Sequence, residues 1–288
     1  GEEKTFFFFF YCVNPTISPN APVLGFKNRY DSNMAADIQF ALAGTDAAKN
    51  FTSQILVVPS FVMVRAGSLS TVCRQYNNYF SSESVDFKSE DFIVSVNTNQ
   101  DKDKQCVIGE CSTSGSVSVS ETELLEHPEY LGNSGSMSWN LTYNRAIGFE
   151  RGFLSKELNW VVPGMQTEFS GTIIYNGEEF NVTAKRSFGY YDKNWGRDFT
   201  SPFFHLGSSF LTSQISGKLL DGSAFAVQGE YNGTLTVLIS LEGNIIEFHA
   251  EKGKKYNVIY DCQEITDDDM GAKLHWSCSV SNKKYVID

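Results

Sequence analysis

The feature that most constrains this chain is an alternation of apolar and polar residues on both sides of an Asn-Gly pair. Residues 171–175 (GTIIY) and 178–183 (EEFNVT) flank Asn176-Gly177. Asn-Gly supplies the two positive φ angles of a type I′ turn, and a period of two is typical of a strand with one buried face. The sequence therefore predicts a β-hairpin here. Residues 216–220 and 223–227 repeat the pattern around Asp221-Gly222, which predicts a second hairpin.

Strand-like segments recur along the rest of the chain. They lie at residues 5–13, 54–64, 84–87, 92–98, 117–120, 137–143, 234–240, 244–250, 255–260, 273–280 and 284–287. A helix is predicted at the Ala-rich residues 34–50, and a single helical turn at residues 121–125, before Pro128. An antiparallel meander most simply closes into a barrel, because closure removes exposed sheet edges. We therefore predict an all-β protein in which residues 165–288 form one antiparallel β-barrel.

A break in composition suggests two domains. It lies around residues 147–165, where Val161-Val162-Pro163-Gly164 interrupts the pattern. We place an N-terminal β-sandwich or barrel at residues 1–152 and the C-terminal barrel at residues 165–288. The 288 residues are enough for two domains of ordinary size.

Charge and apolar content exclude some partners. The formal net charge is −11, and an acidic surface repels phosphate backbones, so nucleic acid is not an expected partner. No stretch approaches the ~20 apolar residues that a helix needs to cross a bilayer, so we expect no membrane span. We expect a monomer or a weak dimer.

Metal and cofactor motifs are missing from the sequence. The four histidines have no metal-ligand spacing, and there is no GxSxG elbow, phosphate loop, HExxH or dinucleotide fingerprint. The run Asp267-Asp268-Asp269 lacks the further ligands of a calcium loop and is interpreted as a solvated turn. We therefore predict neither a metal nor a cofactor.

Cysteines and glycosylation motifs favour an oxidising compartment. An even number of cysteines without a CxxC pair favours disulfides over zinc, with buried thiols as the alternative. Proximity in sequence favours three pairs among fifteen possible connectivities: Cys106–Cys111, Cys262–Cys278 and Cys12–Cys73. Four Asn-x-Ser/Thr sites are candidate glycosylation positions: Asn50, Asn140, Asn181 and Asn232. We predict a secreted protein or one of the secretory pathway.

Two segments together resemble a known superfamily. One is GSMSWNLTY at residues 135–143, and the other is FGYYDKNWG at residues 188–196. This pairing resembles the two-domain lipocalin-like superfamily, which includes carotenoid 1,2-hydratases, tocopherol cyclases, fungal decalin-forming Diels–Alderases and a lipid-handling yeast survival factor. Its members share a W-x-L-x-[FY] strand, followed by a hairpin and [FY]-x-[DE]-[KH]-N-W-G. Lys193 in place of His is more similar to the cyclase and fungal branches. The resemblance covers residues 135–245 and implies two lipocalin-like β domains with an apolar pocket.

The alternation of a strand divides the second motif between two faces. Tyr191, Lys193 and Trp195 would lie on one face, and Tyr190, Asp192 and Asn194 on the other. We interpret Asp192 as a candidate acid with a raised pKa, and Tyr191 or Lys193 as a group that polarises a carbonyl. The alternative is that the motif is structural, with Trp195 as a core residue.

The resemblance implies a set of substrate contacts as well. His205 is a candidate pocket base or, alternatively, a core residue. The candidate substrate-binding residues are Trp139, Tyr143, Tyr190, Asn194, Trp195, Phe203 and His205.

The leading functional hypothesis is a cofactor-independent cyclase or isomerase for an apolar polyene or terpenoid, of the Diels–Alderase kind. Holding a reactive conformer would supply most of the catalysis. Two alternatives of other classes stay open. One is a secreted carrier of lipid or of another hydrophobic small molecule, and the other is a surface-interaction protein without a small ligand.

Overall fold

The structure, a computed structural model, describes most of the chain. The described residues are 5–13, 34–42, 60–68, 74–80, 84–88, 93–96, 105–130, 132–152, 158–184, 188–196, 203–209, 211–230, 234–250, 257–267 and 271–288. They are mostly β, with strands arranged in antiparallel sheets, so the predicted all-β class is confirmed.

The strands form three sheets. The large sheet has twelve strands: β1 (Thr5–Val13), β2 (Met34–Leu42), β3 (Ser60–Ser68), β4 (Arg74–Phe80), β5 (Val85–Lys88), β6 (Ile93–Val96), β7 (Cys106–Ile108), β8 (Ser112–Val119), β9 (Gly135–Phe149), β10 (Leu158–Tyr175), β11 (Glu178–Val182) and β12 (Phe188–Gly196). The four-stranded sheet has β13 (Phe203–Ser208), β14 (Ala224–Glu230), β15 (Leu235–Leu241) and β16 (Asn244–Ala250). The three-stranded sheet has β17 (Asn257–Asp267), β18 (Gly271–Ser281) and β19 (Val286–Ile287).

Strand order places β12 in the middle of the large sheet. The order is β4-β3-β2-β1-β12-β10-β9-β8-β7-β6-β5, with β11 paired to β10. β12 pairs with β1 on one side and with β10 on the other, both antiparallel. The DKNWG segment is therefore held by neighbouring strands along both of its edges.

The Asn-Gly hairpin is confirmed. Tyr175 pairs with Glu178, and the two turn residues have φ values of 50° (Asn176) and 85° (Gly177), as a type I′ turn requires. The Asn176 side chain accepts a hydrogen bond from Ser136 N (2.9 Å) and donates one to the hydroxyl of Tyr76 (2.8 Å). The turn thereby links β9, β10 and β4.

The short helical turn is also confirmed, as α1 (Glu121–Glu126). Ser120 is its N-cap and accepts a hydrogen bond from Glu123 N at 3.1 Å. Glu121 and Glu123 place negative charge in the first turn, where it interacts favourably with the helix dipole and stabilises the helix.

The helix predicted at residues 34–50 is wrong where the structure describes it. Residues 34–42 form β2, paired with both β1 and β3, while residues 43–50 lie outside the described part of the chain. Alanine favours helices, but pairing on two sides and burial of Ile38 override that weak preference.

The second predicted hairpin is wrong. β14 pairs with β13 and β15 rather than with residues 216–220. The chain turns earlier, where Ser213 N donates to Lys218 O (2.9 Å) and Gly217 has a φ of 67°. Gly222 instead accepts hydrogen bonds from Gly243 N (3.1 Å) and Ser240 Oγ (2.6 Å).

The single C-terminal barrel is wrong too. The described strands after residue 165 are divided among all three sheets, and no closed barrel is present among the described strands. A hydrogen bond from Asn133 N to Gln75 O (2.7 Å) ties the edge of β4 to the segment before β9.

A large core lies inside the curve of the large sheet, where β3 and β4 pack against β8 and β9. We call it the concave core. Its members include Ile38, Val62, Val64, Ala66, Tyr76, Phe80, Val96, Cys106, Ile108, Val117, Val119, Met137, Trp139, Leu141, Tyr143, Phe169, Ile173, Val182 and Tyr191.

A second core lies between the large sheet and the four-stranded sheet, and we call this contact the seam. It consists of Phe149, Trp160, Val162, Met165, Ala224, Ala226 and Leu238, with Ile147 and Tyr190 packed against it. Small side chains at Ala224 and Ala226 allow β14 to approach the bulky residues of β10 and β12 closely. The opposite face of the four-stranded sheet packs on the three-stranded sheet through Val227, Leu235, Val237, Phe248, Ala250 and Val280.

β10 serves both cores because it contains a bulge. Its pairing shifts register around Pro163-Gly164, and Pro is tolerated within a sheet mainly at such irregularities. Trp160 and Met165 enter the seam, whereas Phe169 faces the concave core.

The proposed domain division stays a prediction. β10 runs through Met165, and strands from both sides of the division share the large sheet. No helix of the described residues is long and apolar enough to cross a membrane.

Candidate functional site

β12 carries the sequence motif, and its alternation is confirmed for the three residues whose side chains are placed in the cores. Tyr191 belongs to the concave core, whereas Tyr190 packs against the seam and Asp192 bonds to Trp160 of the seam. Lys193 is partly buried. The motif is therefore two half-sites, one on each face of a single strand.

Asp192 lies at the centre of the seam half-site. It is only 2% exposed, and its Oδ2 accepts hydrogen bonds from Trp160 Nε1 (2.8 Å) and from the hydroxyl of Tyr190 (3.0 Å). An indole N–H can only donate, so this oxygen acts as an acceptor. A buried carboxyl oxygen held by two donors is suited to fixing its neighbours in place.

Tyr190 is kept protonated by its surroundings. Burial raises the pKa of Tyr190 well above its ordinary value, and the neighbouring Asp192 raises it further. When a phenol that donates to a buried carboxylate ionises, it loses that hydrogen bond, and its negative charge is repelled by the carboxylate. Tyr190 is therefore a permanent neutral donor to Asp192 at physiological pH.

His205 lies beside this pair. Its ring centroid is 5.6 Å from that of Tyr190 and 5.8 Å from that of Trp160, the latter in an edge-on arrangement. Its Nδ1 is 3.2 Å from Gln228 Oε1. An amide oxygen accepts, so in this contact Nδ1 carries the proton and Nε2 carries the lone pair.

The protein around His205 lowers its pKa. Desolvation by the surrounding residues is the main cause, partly offset by the hydrogen bond with Gln228. The residue is nevertheless exposed at the rim of the seam, and water on that side limits the shift. His205 is thus a neutral imidazole at pH 7 that solvent and solutes can reach.

A row of polar side chains continues from His205 across the four-stranded sheet. The register pairs His205 with Gln228, Gln228 with Thr236, and Thr236 with His249. Thr236 Oγ1 is 3.5 Å from His249 Nδ1, and His249 Nε2 is 2.9 Å from Glu247 Oε2. Gln228 and Thr236 are buried, so this row extends the polar groups of the seam half-site across the four-stranded sheet.

The concave half-site holds the other predicted residues. Tyr191 contacts Tyr143 with ring centroids 5.7 Å apart, and Tyr143 contacts Phe169 at 5.8 Å. Tyr143 donates its hydroxyl to Gly109 O, and Trp139 Nε1 donates to Thr113 Oγ1 at 2.9 Å. Burial raises the pKa of Tyr191 to about 12 and raises that of Tyr143 as well.

The predicted site residues are therefore divided. Tyr190, Asp192 and His205 come together at the seam, while Trp139, Tyr143 and Tyr191 lie in the concave core. The side chains of Asn194, Trp195 and Phe203 lie outside what the structure describes.

Trp160 and Gln228 were not predicted as site residues. Trp160 lies in the alternating segment LNWVV, and a buried Trp usually needs a partner for its indole N–H, which is the signal that points to it. Gln228 carries no comparable signal, because only the register between β13 and β14 places it opposite His205.

The predicted Cys106–Cys111 disulfide is wrong. Cys111 is a free thiol on the surface, whereas Cys106 is buried and its Sγ lies 3.4 Å from Ser116 O. Burial raises the pKa of the Cys106 thiol to about 12, so it stays protonated at physiological pH.

Two further disulfides are predicted, Cys262–Cys278 and Cys12–Cys73. Cys262 pairs in register with Trp276, and Cys278 pairs with Tyr260, so the two cysteines occupy diagonal positions. Diagonal Cα atoms are ~7–8 Å apart in such a pair, which exceeds the usual span of a disulfide. Cys73 lies outside the described residues.

Among the candidate glycosylation positions, Asn50 and Asn232 also lie outside the described residues. Asn140 and Asn181 are exposed.

Comparisons with protein-family models and with curated proteins find no match. Within the part of the chain that the structure describes, no group of three or more His, Cys, Asp or Glu side chains is arranged to hold a metal ion.

Proposed function

We propose that this protein is a cofactor-independent isomerase or cyclase that acts on an apolar, polyene-like or terpenoid molecule, with the reacting part of the substrate at the rim of the seam. The observation that carries the proposal is the placement of His205. Its ring lies against Tyr190 and Trp160, and Gln228 holds its Nδ1. The resemblance to the two-domain lipocalin-like superfamily supports the same reaction class.

The proposed chemistry is a proton shift. His205 Nε2 accepts a proton from a substrate carbon whose C–H bond is activated toward deprotonation. The imidazolium then returns this proton to another carbon of the substrate, so the substrate is isomerised and the neutral imidazole is regenerated. No oxidant or reductant is needed. The lowered pKa of His205 keeps the imidazole neutral at pH 7, which is the form that a general base requires.

Asp192 takes a positioning role in this proposal. Its carboxyl holds Trp160 and Tyr190, and these two rings form the walls against which His205 lies. Its deep burial and its two donors favour this role over the acid role that the sequence predicts for it. The rings also supply the apolar surface that binds a hydrocarbon substrate.

The test begins with native mass spectrometry and extraction of co-purified small molecules, followed by incubation of the full chain with the identified class of compound. His205→Gln should reduce turnover about a hundredfold or more, the scale of general base catalysis, while binding stays within about threefold of wild type. Exposed His127, substituted by Gln, is the matched control and should leave turnover unchanged. Equal turnover in wild type and His205→Gln would refute the proposal.

The pH profile gives an independent readout. Activity should rise with pH as His205 loses its proton, with the acid limb half-maximal below pH 6.5, because the pKa of His205 is lowered. A limb centred above pH 7 would assign the base to another group.

A second candidate function is a carrier of lipid or of another hydrophobic small molecule. The hydrogen-bonding of Asp192 favours it, because a buried acceptor with two protein donors needs no chemistry to explain it. A carrier would release its ligand chemically unchanged. The variant His205→Gln would then bind the same ligand, with an affinity within about twofold of wild type. Product analysis of the extracted compound separates the two functions.

We also propose passage through the secretory pathway. Exposed Asn140 and Asn181 lie in register with the same residue, Thr172 of β10, on neighbouring strands, so glycans there would share one surface. Loss of mass after treatment of the natively expressed protein with an N-glycosidase would support this proposal, and an unmodified mass at both positions would oppose it.

A further inference from the structure

The concave core contains one polar side chain that its surroundings do not explain. Asn78 lies on β4 between Tyr76 and Phe80 on the same face of the strand, and it pairs in register with Val62 of β3. These three neighbours belong to the concave core, and Asn78 itself is only 4% exposed. Its amide therefore points to the interior of the curved sheet.

Neither amide atom of Asn78 has a hydrogen-bond partner among the residues that the structure describes. Other polar groups of this core are paired. The hydroxyl of Tyr76 accepts from Asn176 Nδ2 at 2.8 Å, and Trp139 Nε1 donates to Thr113 Oγ1 at 2.9 Å. Burying an amide without a partner opposes folding, so an Asn retained at this place needs another source of hydrogen bonds.

We propose that the concave core binds a second kind of ligand, with Asn78 as its polar anchor. A carboxamide offers a donor (Nδ2–H) and an acceptor (Oδ1) side by side. Among organic end groups, another amide or a protonated carboxylic acid matches this arrangement, because each also carries a donor and an acceptor side by side. The ligand class is therefore a long-chain molecule with an uncharged amide or acid end group, whose chain contacts the aliphatic and aromatic residues of the core.

The charge of the surroundings supports an uncharged end group. No buried Lys or Arg is present among the described residues, so an ionised carboxylate next to Asn78 would have no buried cation to balance it. The buried carboxyl of Asp192 lies on the other face of β12, away from Asn78. This site is thus distinct from the seam and does not depend on the proposed reaction.

The experiment titrates the full chain, after removal of bound lipid, with oleamide and with methyl oleate while following tryptophan fluorescence. Oleamide can satisfy both amide atoms of Asn78, whereas the ester can only accept. We expect oleamide to bind about tenfold more tightly than the ester to wild type. Asn78→Leu should weaken oleamide binding about tenfold and leave ester binding within about twofold. Asn244→Leu, at an exposed position, is the matched control and should change neither.

A second measurement keeps the proposal falsifiable if Asn78→Leu does not fold. The side-chain NH₂ resonances of Asn78 should shift on saturation with oleamide in NMR spectra of the wild-type protein. Oleic acid should bind at pH 5 and not at pH 8, because only the protonated acid can donate a hydrogen bond to Oδ1 of Asn78. Absence of saturable oleamide binding, equal affinity in wild type and Asn78→Leu, or an unshifted Asn78 resonance at saturation would each overturn the proposal.

Discussion

Buried polar side chains are hydrogen-bonded differently on the two faces of β12. At the seam, hydrogen bonds and ring contacts link five residues into one set: Asp192, Tyr190, Trp160, His205 and Gln228. In the concave core, short hydrogen-bonded chains link Tyr175, Tyr76 and Asn176, and also Trp139 and Thr113, but neither amide atom of Asn78 joins them. A connected polar set fixes the geometry of a reactive group, whereas an isolated unsatisfied amide is more suited to receiving a ligand.

The largest expected effect comes from alkaline pH, because buried phenols resist ionisation in the folded state. The unfolded chain loses its tyrosine protons near pH 10, while Tyr191 keeps its own until about pH 12. The unfolded state is therefore favoured as pH rises through this window, and Tyr191 alone should lower the free energy of unfolding by about 2–3 kcal/mol. Denaturant unfolding at pH 8 and at pH 12 measures it.

Tyr191→Phe should recover the part of that loss that Tyr191 contributes, about 2–3 kcal/mol. Tyr285→Phe, at a partly exposed position, is the matched control and should recover none of it. Equal behaviour of the two variants would mean that the concave core does not enclose Tyr191.

Two tryptophans give the next test, since each donates one hydrogen bond in a different core. Trp160→Phe removes a donor from a buried carboxyl oxygen, and Trp139→Phe removes one from a hydroxyl. Hydrogen bonds to carboxylates contribute about 1.5–3 kcal/mol and neutral ones about 1 kcal/mol. Because both changes lose similar volume, Trp160→Phe should destabilise more, and equal losses in urea unfolding would remove the energetic distinction between the two cores.

Within the concave core, Asn78 and Thr113 should respond in opposite directions. Asn78→Leu should raise the free energy of unfolding by about 1 kcal/mol in ligand-free protein, because it removes an unsatisfied buried amide. Thr113→Val should lower it by a similar amount, because Trp139 then loses its acceptor. A loss of stability in Asn78→Leu would show that the amide already has a partner.

The smallest effect concerns acid pH at the seam. The pKa of His205 is lowered in the folded state, so below about pH 6.5 the unfolded chain takes up a proton that the folded protein resists. The free energy of unfolding should fall by about 1 kcal/mol as pH drops from 6.5 toward 4, after allowance for water at the exposed side of the residue. His205→Gln should remove this decrement, whereas exposed His127→Gln should keep it.

Local chemistry in the sequence was sufficient for much of the secondary structure. Asn176-Gly177 predicted its hairpin because the turn needs two positive φ angles, and residues 5–13 form β1 with the predicted bounds. Residues 34–42 show the limit of local preference. Their alanines favoured a helix, but Ile38, Phe40 and Leu42 also alternate with other residues, and pairing with β1 and β3 selected the strand.

The sequence by itself determined the all-β class and the division of Tyr190, Tyr191 and Asp192 between two faces of one strand, because both follow from a period of two. Tertiary structure decided which partners meet those faces. Trp160 reaches Asp192 through the pairing of β10 with β12, and His205 reaches Tyr190 because the four-stranded sheet packs on the large one. Trp160 and Asp192 are 32 positions apart in sequence, and Tyr190 and His205 are 15 positions apart. No local pattern encodes either contact, because the first needs the pairing of β10 with β12 and the second needs the close packing of two sheets that Ala224 and Ala226 allow.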